Sequence, residues 1–232
     1  GFALAKQARD NVNLVEDTVA SLSASQAVAG TLAIGGGESA AMQRVTTIVS
    51  ELLVDNPNVH VNLYSGSAED VEERVQRGLL DFGVVMGNRT FEGFSALTLP
   101  DLNHWGLLIN RSNELATLKQ ISATKLATVP LLVSGQGLVL NRLKPWAGDQ
   151  FDELTIAGTY NLIFNASLVV QNGHIGALTY DHLVNTDESN QLCFRPLAPS
   201  LTDQNTLIWR KNTPLSELSQ LFLQQLKTSL DK

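Results

Sequence analysis

The fold class of this 232-residue chain is decided by residues 56–86, NPNVHVNLYSGSAEDVEERVQRGLLDFGVVM. Residues 59–64 alternate between inward and outward positions, as the side chains of a half-buried strand do. Ser67, with Asp70 three residues later, has the spacing of a capping box at a helix start. Residues 82–86 form a short apolar run that is typical of a buried strand. Strand, helix and strand at these lengths predict a parallel pair joined by a right-handed crossover, and hence an α/β domain.

The same alternation of strands and helices extends on both sides of that segment. Upstream, residues 31–35 form a short apolar strand that ends in Gly35-Gly36-Gly37, and apolar residues at helical spacing follow over 41–52. Downstream, two strands are predicted over 94–99 and 105–110, after which the alternation restarts. The remaining predicted elements are strands 130–133, 154–157, 175–178, 193–197 and 206–210 and helices 138–146, 162–171 and 216–230. The sequence therefore predicts two α/β units of similar size.

Residues 1–27 carry a narrow apolar stripe with spacings of three and four residues, which is a short heptad pattern. Such a stripe is typical of an amphipathic helix that packs on its own domain, and also of a helix that links or dimerises globular bodies. The stripe consists of Ala5, Ala8, Val12, Val15, Val19 and Leu22.

Composition and charge exclude several classes of protein. The 16 Lys and Arg residues are outnumbered by 23 Asp and Glu, so these residues are not expected to grip nucleic acid themselves. The single cysteine, Cys193, excludes an internal disulfide and a cysteine-based zinc cluster, and the four histidines lack metal-ligand spacing. No apolar run approaches the roughly 18–20 residues of a membrane span. We therefore expect no metal, no cofactor and no membrane partner, and a cytoplasmic location.

Catalytic templates are not met by the sequence. Asp81-Phe82-Gly83 spells the kinase metal-binding triplet, but no catalytic-loop motif or lysine strand accompanies it. Gly35-Gly36-Gly37 follows a strand as a phosphate loop would, but it lacks the spacing of either nucleotide-binding motif. We expect a binding protein rather than an enzyme.

A ligand site is predicted from topology. In open α/β sheets, ligands lie beyond the carboxyl ends of strands and against helix N-termini. Small or amide side chains at such places suit a small polar ligand in a cleft between two lobes, although glycine and serine there also serve simply as helix caps. The rule selects Gly37, Glu38 and Ser39 in the first unit, and Ser134, Gly135, Gln136 and the turn at Tyr160-Asn161 in the second.

The quoted segment also resembles the LysR-type transcriptional regulators. The proline-led strand at 56–61, the glycine turn at 65–67 and the helix-to-strand stretch 75–85, with its Leu80-Asp81 pair, are similar to the effector domain of that family. Further similar stretches are 30–35, 170–176, 207–211 and 222–226. Their order and spacing extend the resemblance over nearly the whole chain.

The resemblance implies a fold of two Rossmann-like lobes joined by two crossing strands near 105–110 and 203–210, as in type-two periplasmic binding proteins. It also implies a homodimer or homotetramer. The family's N-terminal winged helix-turn-helix has no counterpart in the sequence, so DNA contact is expected only through that missing domain. The implied divisions are a linker and dimerisation helix over 1–27, a first lobe over 28–105 and 208–232, and a second lobe over 106–207.

The resemblance further implies an effector pocket between the lobes. Glu38 departs from the small polar groups that several members offer to an anionic inducer, and it would repel an anion unless Arg44 or Arg89 compensates. We therefore expect a neutral, zwitterionic or cationic effector. The pocket residues carried over are Glu38, Ser39, Met86, Asn88, Ser134, Gln136, Asn161 and Asn165.

Two other classes share such a fold. A solute-binding protein of a transport system is the main alternative, but the sequence shows no signal peptide and carries a leading heptad helix that such proteins do not need. An enzyme on the same fold would require a convergent acid–base pair, and the sequence suggests none.

Overall fold

A computed structural model describes residues 28–86, 91–135 and 137–231, without the side chains of 137–140. The predicted linker helix over 1–27, Asn88 and Gln136 lie outside the described residues. Within them the strands are β1 (Gly30–Gly36), β2 (Val59–Ser65), β3 (Phe82–Met86), β4 (Phe94–Asn110), β5 (Leu131–Ser134), β6 (Ile156–Tyr160), β7 (Gly176–Tyr180), β8 (Leu192–Pro196) and β9 (Thr202–Arg210). The α-helices are α1 (Ala40–Asp55), α2 (Ala68–Gln76), α3 (Ala123–Leu126), α4 (Gly137–Ala147), α5 (Ile163–Val170) and α6 (Glu217–Leu230), with 3-10 helices at Glu114–Thr117 and Gly148–Glu153.

The first lobe is built on strands in the order β2-β1-β3-β9-β4. Strand β1 is parallel to both β2 and β3, and β9 runs antiparallel to β3 and to the first part of β4. The serine half of the predicted capping box is present, since Ser67 Oγ accepts a hydrogen bond from the backbone N–H of Asp70 at 3.1 Å. The strand–helix–strand order predicted from residues 56–86 is confirmed.

The second lobe repeats this plan on the other side of β4. Strand β5 is parallel to β6 and β7, and the last part of β4 is antiparallel to β7 and β8. Because β4 belongs to both sets of strands, one continuous nine-stranded sheet spans the described residues. The mixed α/β fold predicted from the sequence is confirmed.

The chain crosses between lobes twice. Within β4, residues 94–104 pair with β9 of the first lobe, and residues 105–110 pair with β7 and β8 of the second. The prediction of two separate strands here is wrong, because the ladder continues past a register shift between Thr98 and Leu102. Pro100 lies within that shift, where a residue without an N–H disrupts the ladder least.

The return crossing lies between β8 and β9. Trp105, on the outgoing strand, donates its backbone N–H to Leu201 O and accepts at its carbonyl from Leu197 N. Strand β9 pairs with first-lobe strands from Thr202 onward, so residues 202–207, which the sequence assigned to the second lobe, belong to the sheet of the first. The crossing strands meet at 104–105 and 197–202.

Helices cover both faces of each half of the sheet. In the first lobe α1 and α6 share one core, where the rings of Phe82 and Phe222 lie 4.9 Å apart, and α2 covers the opposite face. In the second lobe α5 packs on Leu108, while α3 and α4 cover the face that carries Ile109. Two separately packed lobes therefore flank the crossing strands.

Candidate functional site

A cavity of about 50 Å³ lies between the two lobes, at the carboxyl ends of their parallel strands. It has room for one or two water molecules, each of which takes about 30 Å³ in the liquid. The first lobe lines it with Gly37, Glu38, Ser39, Ala68, Val84, Val85, Met86 and Asn205. Trp105 of the crossing strand and Ser134, Tyr160, Asn161, Thr179, Tyr180 and Leu183 of the second lobe complete the wall. The two lobes thus meet around a small, mixed polar and apolar space.

The structure brings seven of the residues selected from the sequence to this cavity. They are Gly37, Glu38, Ser39, Met86, Ser134, Tyr160 and Asn161. Gly135 lines a neighbouring groove beside Gly66 and Asn161 instead. Asn165 is exposed on α5 and does not line the cavity, while Asn88 and Gln136 lie outside the described residues.

Glu38 links the two lobes. Its Oε2 accepts a hydrogen bond of 2.7 Å from the backbone N–H of Ile163, the first residue of α5 in the opposite lobe. The N-cap of α5 is Leu162, whose side chain cannot accept that N–H, so the amide is left for another acceptor. Burial raises the pKa of Glu38 more than the Ile163 hydrogen bond lowers it.

The N-terminus of α1 is satisfied differently. The backbone N–H of Ala40 donates to Oδ1 of Asn103 at 2.7 Å, and Asn103 is 1% exposed on β4. Ser39 holds the N-cap position, yet its side chain makes no capping hydrogen bond. Its buried Oγ has no hydrogen-bond partner among the described residues, although it lines the cavity.

Asn205 is a cavity residue that the sequence analysis missed. It lies on β9 opposite Met86 of β3, and it is 2% exposed. Its Nδ2 is buried without a hydrogen-bond partner among the described residues. An unpaired buried donor costs about 1–3 kcal/mol, so a ligand oxygen or a water that accepts from it gains that energy back. Asn205 lies among the polar residues 202–206 of β9, so no local signal in the sequence singled it out.

A buried carboxylate, Asp203, joins the crossing strands to the second lobe. Oδ2 accepts from Trp105 Nε1 at 2.6 Å and from the Tyr180 hydroxyl at 2.9 Å. Its Oδ1 lies 2.7 Å from a guanidinium nitrogen of Arg142 on α4. Burial, and then the neighbouring carboxylate, raise the pKa of Tyr180 far above its ordinary value, so that its phenol stays un-ionised. We call Asp203, Trp105, Tyr180 and Arg142 the hinge cluster.

The charge of the cavity wall is negative. Its described residues include Glu38 and no lysine, arginine or histidine. Arg44 does not compensate, because both its Nε and its Nη2 bind the Asp101 carboxylate, at 2.6 and 3.0 Å. Arg89 lies outside the described residues. Over the described part of the chain, no cluster of His, Cys, Asp and Glu could hold a metal ion, and no helix is long and apolar enough to cross a membrane.

Comparison with known proteins gives one family match. A sequence profile described as the LysR substrate binding domain matches residues 25–231. No significant match to a curated protein was found.

Solved structures share the fold at low sequence identity. HinK, a LysR family transcriptional regulator from Pseudomonas aeruginosa, is 19% identical with a TM-score of 0.70, over 98% of this chain and 80% of its own. Full-length CbnR in complex with its target DNA is 17% identical with a TM-score of 0.72, over 100% of this chain and 82% of its own. The reduced OxyR regulatory domain from Pseudomonas aeruginosa is 13% identical with a TM-score of 0.69, over 86% of this chain and 98% of its own.

Proposed function

Because the chain belongs to the LysR substrate-binding domain family, we propose that it binds a small-molecule effector in the cleft between its two lobes. The observation that carries this is the cavity itself, which both lobes line and whose wall includes Asn205, with a buried Nδ2 that has no hydrogen-bond partner among the described residues. A folded protein keeps an unsatisfied buried donor at a cost, and an effector oxygen that accepts from it removes that cost.

Effector binding would act by changing the position of one lobe relative to the other. The cavity of about 50 Å³ is far smaller than the roughly 300–1,000 Å³ of ordinary ligand pockets, so most effectors would need the lobes to separate. The lobes are joined by the crossing strands and by side-chain contacts that include the hydrogen bond between Glu38 and Ile163 and that between the Tyr180 hydroxyl and Met86. A ligand shifts such an equilibrium by its difference in affinity for the open and closed forms.

The hinge cluster would respond to a change in the position of one lobe relative to the other. Asp203 and Trp105 lie on the two crossing strands, and Tyr180 and Arg142 belong to the second lobe. Any rotation of the second lobe about the crossing strands must move or break these bonds. In a regulator of this family, the change would pass to a winged helix-turn-helix that these 232 residues do not contain, and so modulate DNA binding in the cytoplasm.

We also propose that the domain pairs with a second copy, as a homodimer or as half of a homotetramer. Large apolar side chains are exposed on α1 and β2 of the first lobe, and on β6 and α5 of the second. In a side-by-side antiparallel pair, the first-lobe patch of one copy would pack on the second-lobe patch of the other copy. Both patches would then be removed from water. The exposed residues are Leu53, Val54 and Leu63 in the first lobe and Ile156, Phe164, Leu168 and Val169 in the second.

A thermal-shift screen against central metabolites tests effector binding. A compound that binds the folded chain raises its melting temperature, since ligand at 100 times its Kd adds about 2.7 kcal/mol of stability. We expect the shift to be lost in Asn205→Ala, which removes a cavity donor, and kept in Asn165→Ala, which alters an exposed amide. A shift that both variants retain would contradict binding at this cavity.

A further inference from the structure

The Glu38 carboxylate occupies a position at which an acidic ligand would otherwise bind. We propose that Glu38 makes the cleft select an effector that carries an uncharged amide and reject the corresponding carboxylate. This inference rests on the proposed function and specifies the ligand chemistry of the same cleft.

The N-terminus of α5 is already occupied by Glu38. The amide groups at a helix N-terminus carry partial positive charge and favour an anionic oxygen. Here the buried N–H of Ile163 is already bound at 2.7 Å by Oε2 of Glu38, which comes from the opposite lobe. While the lobes keep this arrangement, a ligand carboxylate could reach this amide only by displacing Glu38.

Two buried donors, on Asn205 and Ser39, are left for a ligand among the described residues. Asn205 Nδ2 and Ser39 Oγ are both buried, both belong to cavity-lining residues and both lack a partner among the described residues. An amide N–H and a hydroxyl can each donate to a carbonyl oxygen. These two groups can therefore hold an uncharged acceptor.

The charge of the described cavity wall disfavours an acidic ligand. The described wall of the cavity contains no cation, so among the described residues nothing would compensate a ligand carboxylate buried beside the Glu38 carboxylate. Among the described residues only Ile163 donates to Glu38, which leaves its Oε1 able to accept a ligand N–H. A primary amide supplies both a carbonyl oxygen and that N–H, whereas a carboxylate of the same shape supplies only acceptors.

The test uses the full 232-residue chain and two probes of matched shape, propionamide and propionate, at equal ionic strength. Binding is followed by the melting temperature and by titration calorimetry. We expect propionamide, and not propionate, to stabilise the wild type. In Glu38→Ala the propionamide response should shrink, and the affinity for propionate should rise about tenfold, because the freed Ile163 N–H gains a charged acceptor.

Two further variants control the result. Glu51→Ala removes an exposed carboxylate of α1 that does not line the cavity, and it should behave as the wild type. Glu38→Gln keeps the shape of the side chain and an acceptor for Ile163 while it removes the charge. It should weaken the discrimination against propionate, and it keeps the test valid if Glu38→Ala does not fold.

The outcomes separate this inference from the proposed function. If wild type binds propionate as tightly as propionamide and Asn205→Ala loses both, the cleft binds ligands and the selectivity assigned to Glu38 is wrong. If neither probe affects any variant, the amide selectivity is also wrong. In that case a metabolite whose thermal shift depends on Asn205 would still support the proposed function, and the lack of such a metabolite would contradict it.

Discussion

The two lobes present helix N-termini to the same cleft, but they satisfy them in opposite ways. In the first lobe the N–H of Ala40 on α1 is bound by Asn103, a buried residue of the first-lobe part of β4. In the second lobe the N–H of Ile163 on α5 is bound by Glu38, which belongs to the first lobe. The first bond survives any movement of the lobes, whereas the second exists only while they are together.

This difference indicates which parts of the molecule are fixed and which can respond. The first lobe supplies the acceptor for its own helix N-terminus at the cleft. The second lobe depends on the first for the acceptor at α5 and on Asp203 of β9 for its contact with Arg142 and Tyr180. A ligand that competes with either contact would change the second lobe more than the first.

The largest expected effect comes from removing the carboxylate that the lobes share. Asp203→Ala leaves Trp105 Nε1 and the Tyr180 hydroxyl buried without their acceptor, and it should lower the free energy of unfolding by about 3 kcal/mol. Denaturant unfolding measures this. Asp152→Ala, at an exposed site, is the control and should change stability by less than about 0.5 kcal/mol. Equal effects of the two substitutions would exclude the hinge cluster as a structural centre.

The next effect compares the two helix N-termini directly. Asn103→Ala removes the acceptor for Ala40 N and a donor to Asp203 O at a site that is 1% exposed, so it should cost about 2 kcal/mol. Glu38→Ala removes one hydrogen bond of a half-buried side chain and should cost about 1 kcal/mol or less. Denaturant unfolding of both variants, with Asn165→Ala as the neutral control, decides the order. A greater loss of stability in Glu38→Ala than in Asn103→Ala would contradict the difference between the two lobes.

A smaller effect is expected for the pairing of two copies. Phe164 is 69% exposed on α5, and Phe164→Asp should weaken self-association about tenfold, as loss of an apolar interface anchor does. Sedimentation velocity over a concentration series measures the dissociation constant. Leu79→Asp is the control, since Leu79 is exposed outside both apolar patches. Equal weakening in both variants would contradict pairing through α5.

The smallest effect is a dependence of stability on pH. Since burial raises the pKa of Glu38, the folded chain holds this proton more tightly than the unfolded chain does. The stabilisation of the fold by the protonated Glu38 side chain is therefore complete below the ordinary glutamate pKa. It is lost as pH rises through the raised pKa of Glu38. Relative to Glu38→Gln, the wild type should lose stability as pH rises through the raised pKa of Glu38. A relative gain over the same rise in pH would mean that the Ile163 hydrogen bond outweighs burial.

The elements of the first lobe could be predicted because their signals are local. The Ser67–Asp70 capping box and the apolar run over Phe82–Met86 each specify a boundary within a few residues. The long strand β4 could not be predicted as one element, because Pro100 interrupts the pattern and only pairing with β9 carries the strand past it. That pairing is not encoded in neighbouring residues.

The candidate site divides in the same way. Glu38 and Ser39 could be found from topology, since they follow the carboxyl end of β1. Asn205 and Asp203 could not, because they lie in the first half of β9 and reach the cleft and the hinge only through the crossing of the strands. Asn165 was carried over from the family resemblance, but α5 begins at Ile163 and leaves the Asn165 side chain exposed to solvent.

The central claim, that an effector binds between the lobes, is tested most directly by hydrogen exchange of the chain with and without a stabilising compound from the thermal-shift screen. Amide exchange slows where ligand binding reduces local opening. We predict slower exchange on both walls at once, in residues 37–39 of the first lobe and 160–163 of the second. Protection confined to one lobe, or to residues away from the cavity, would contradict the account.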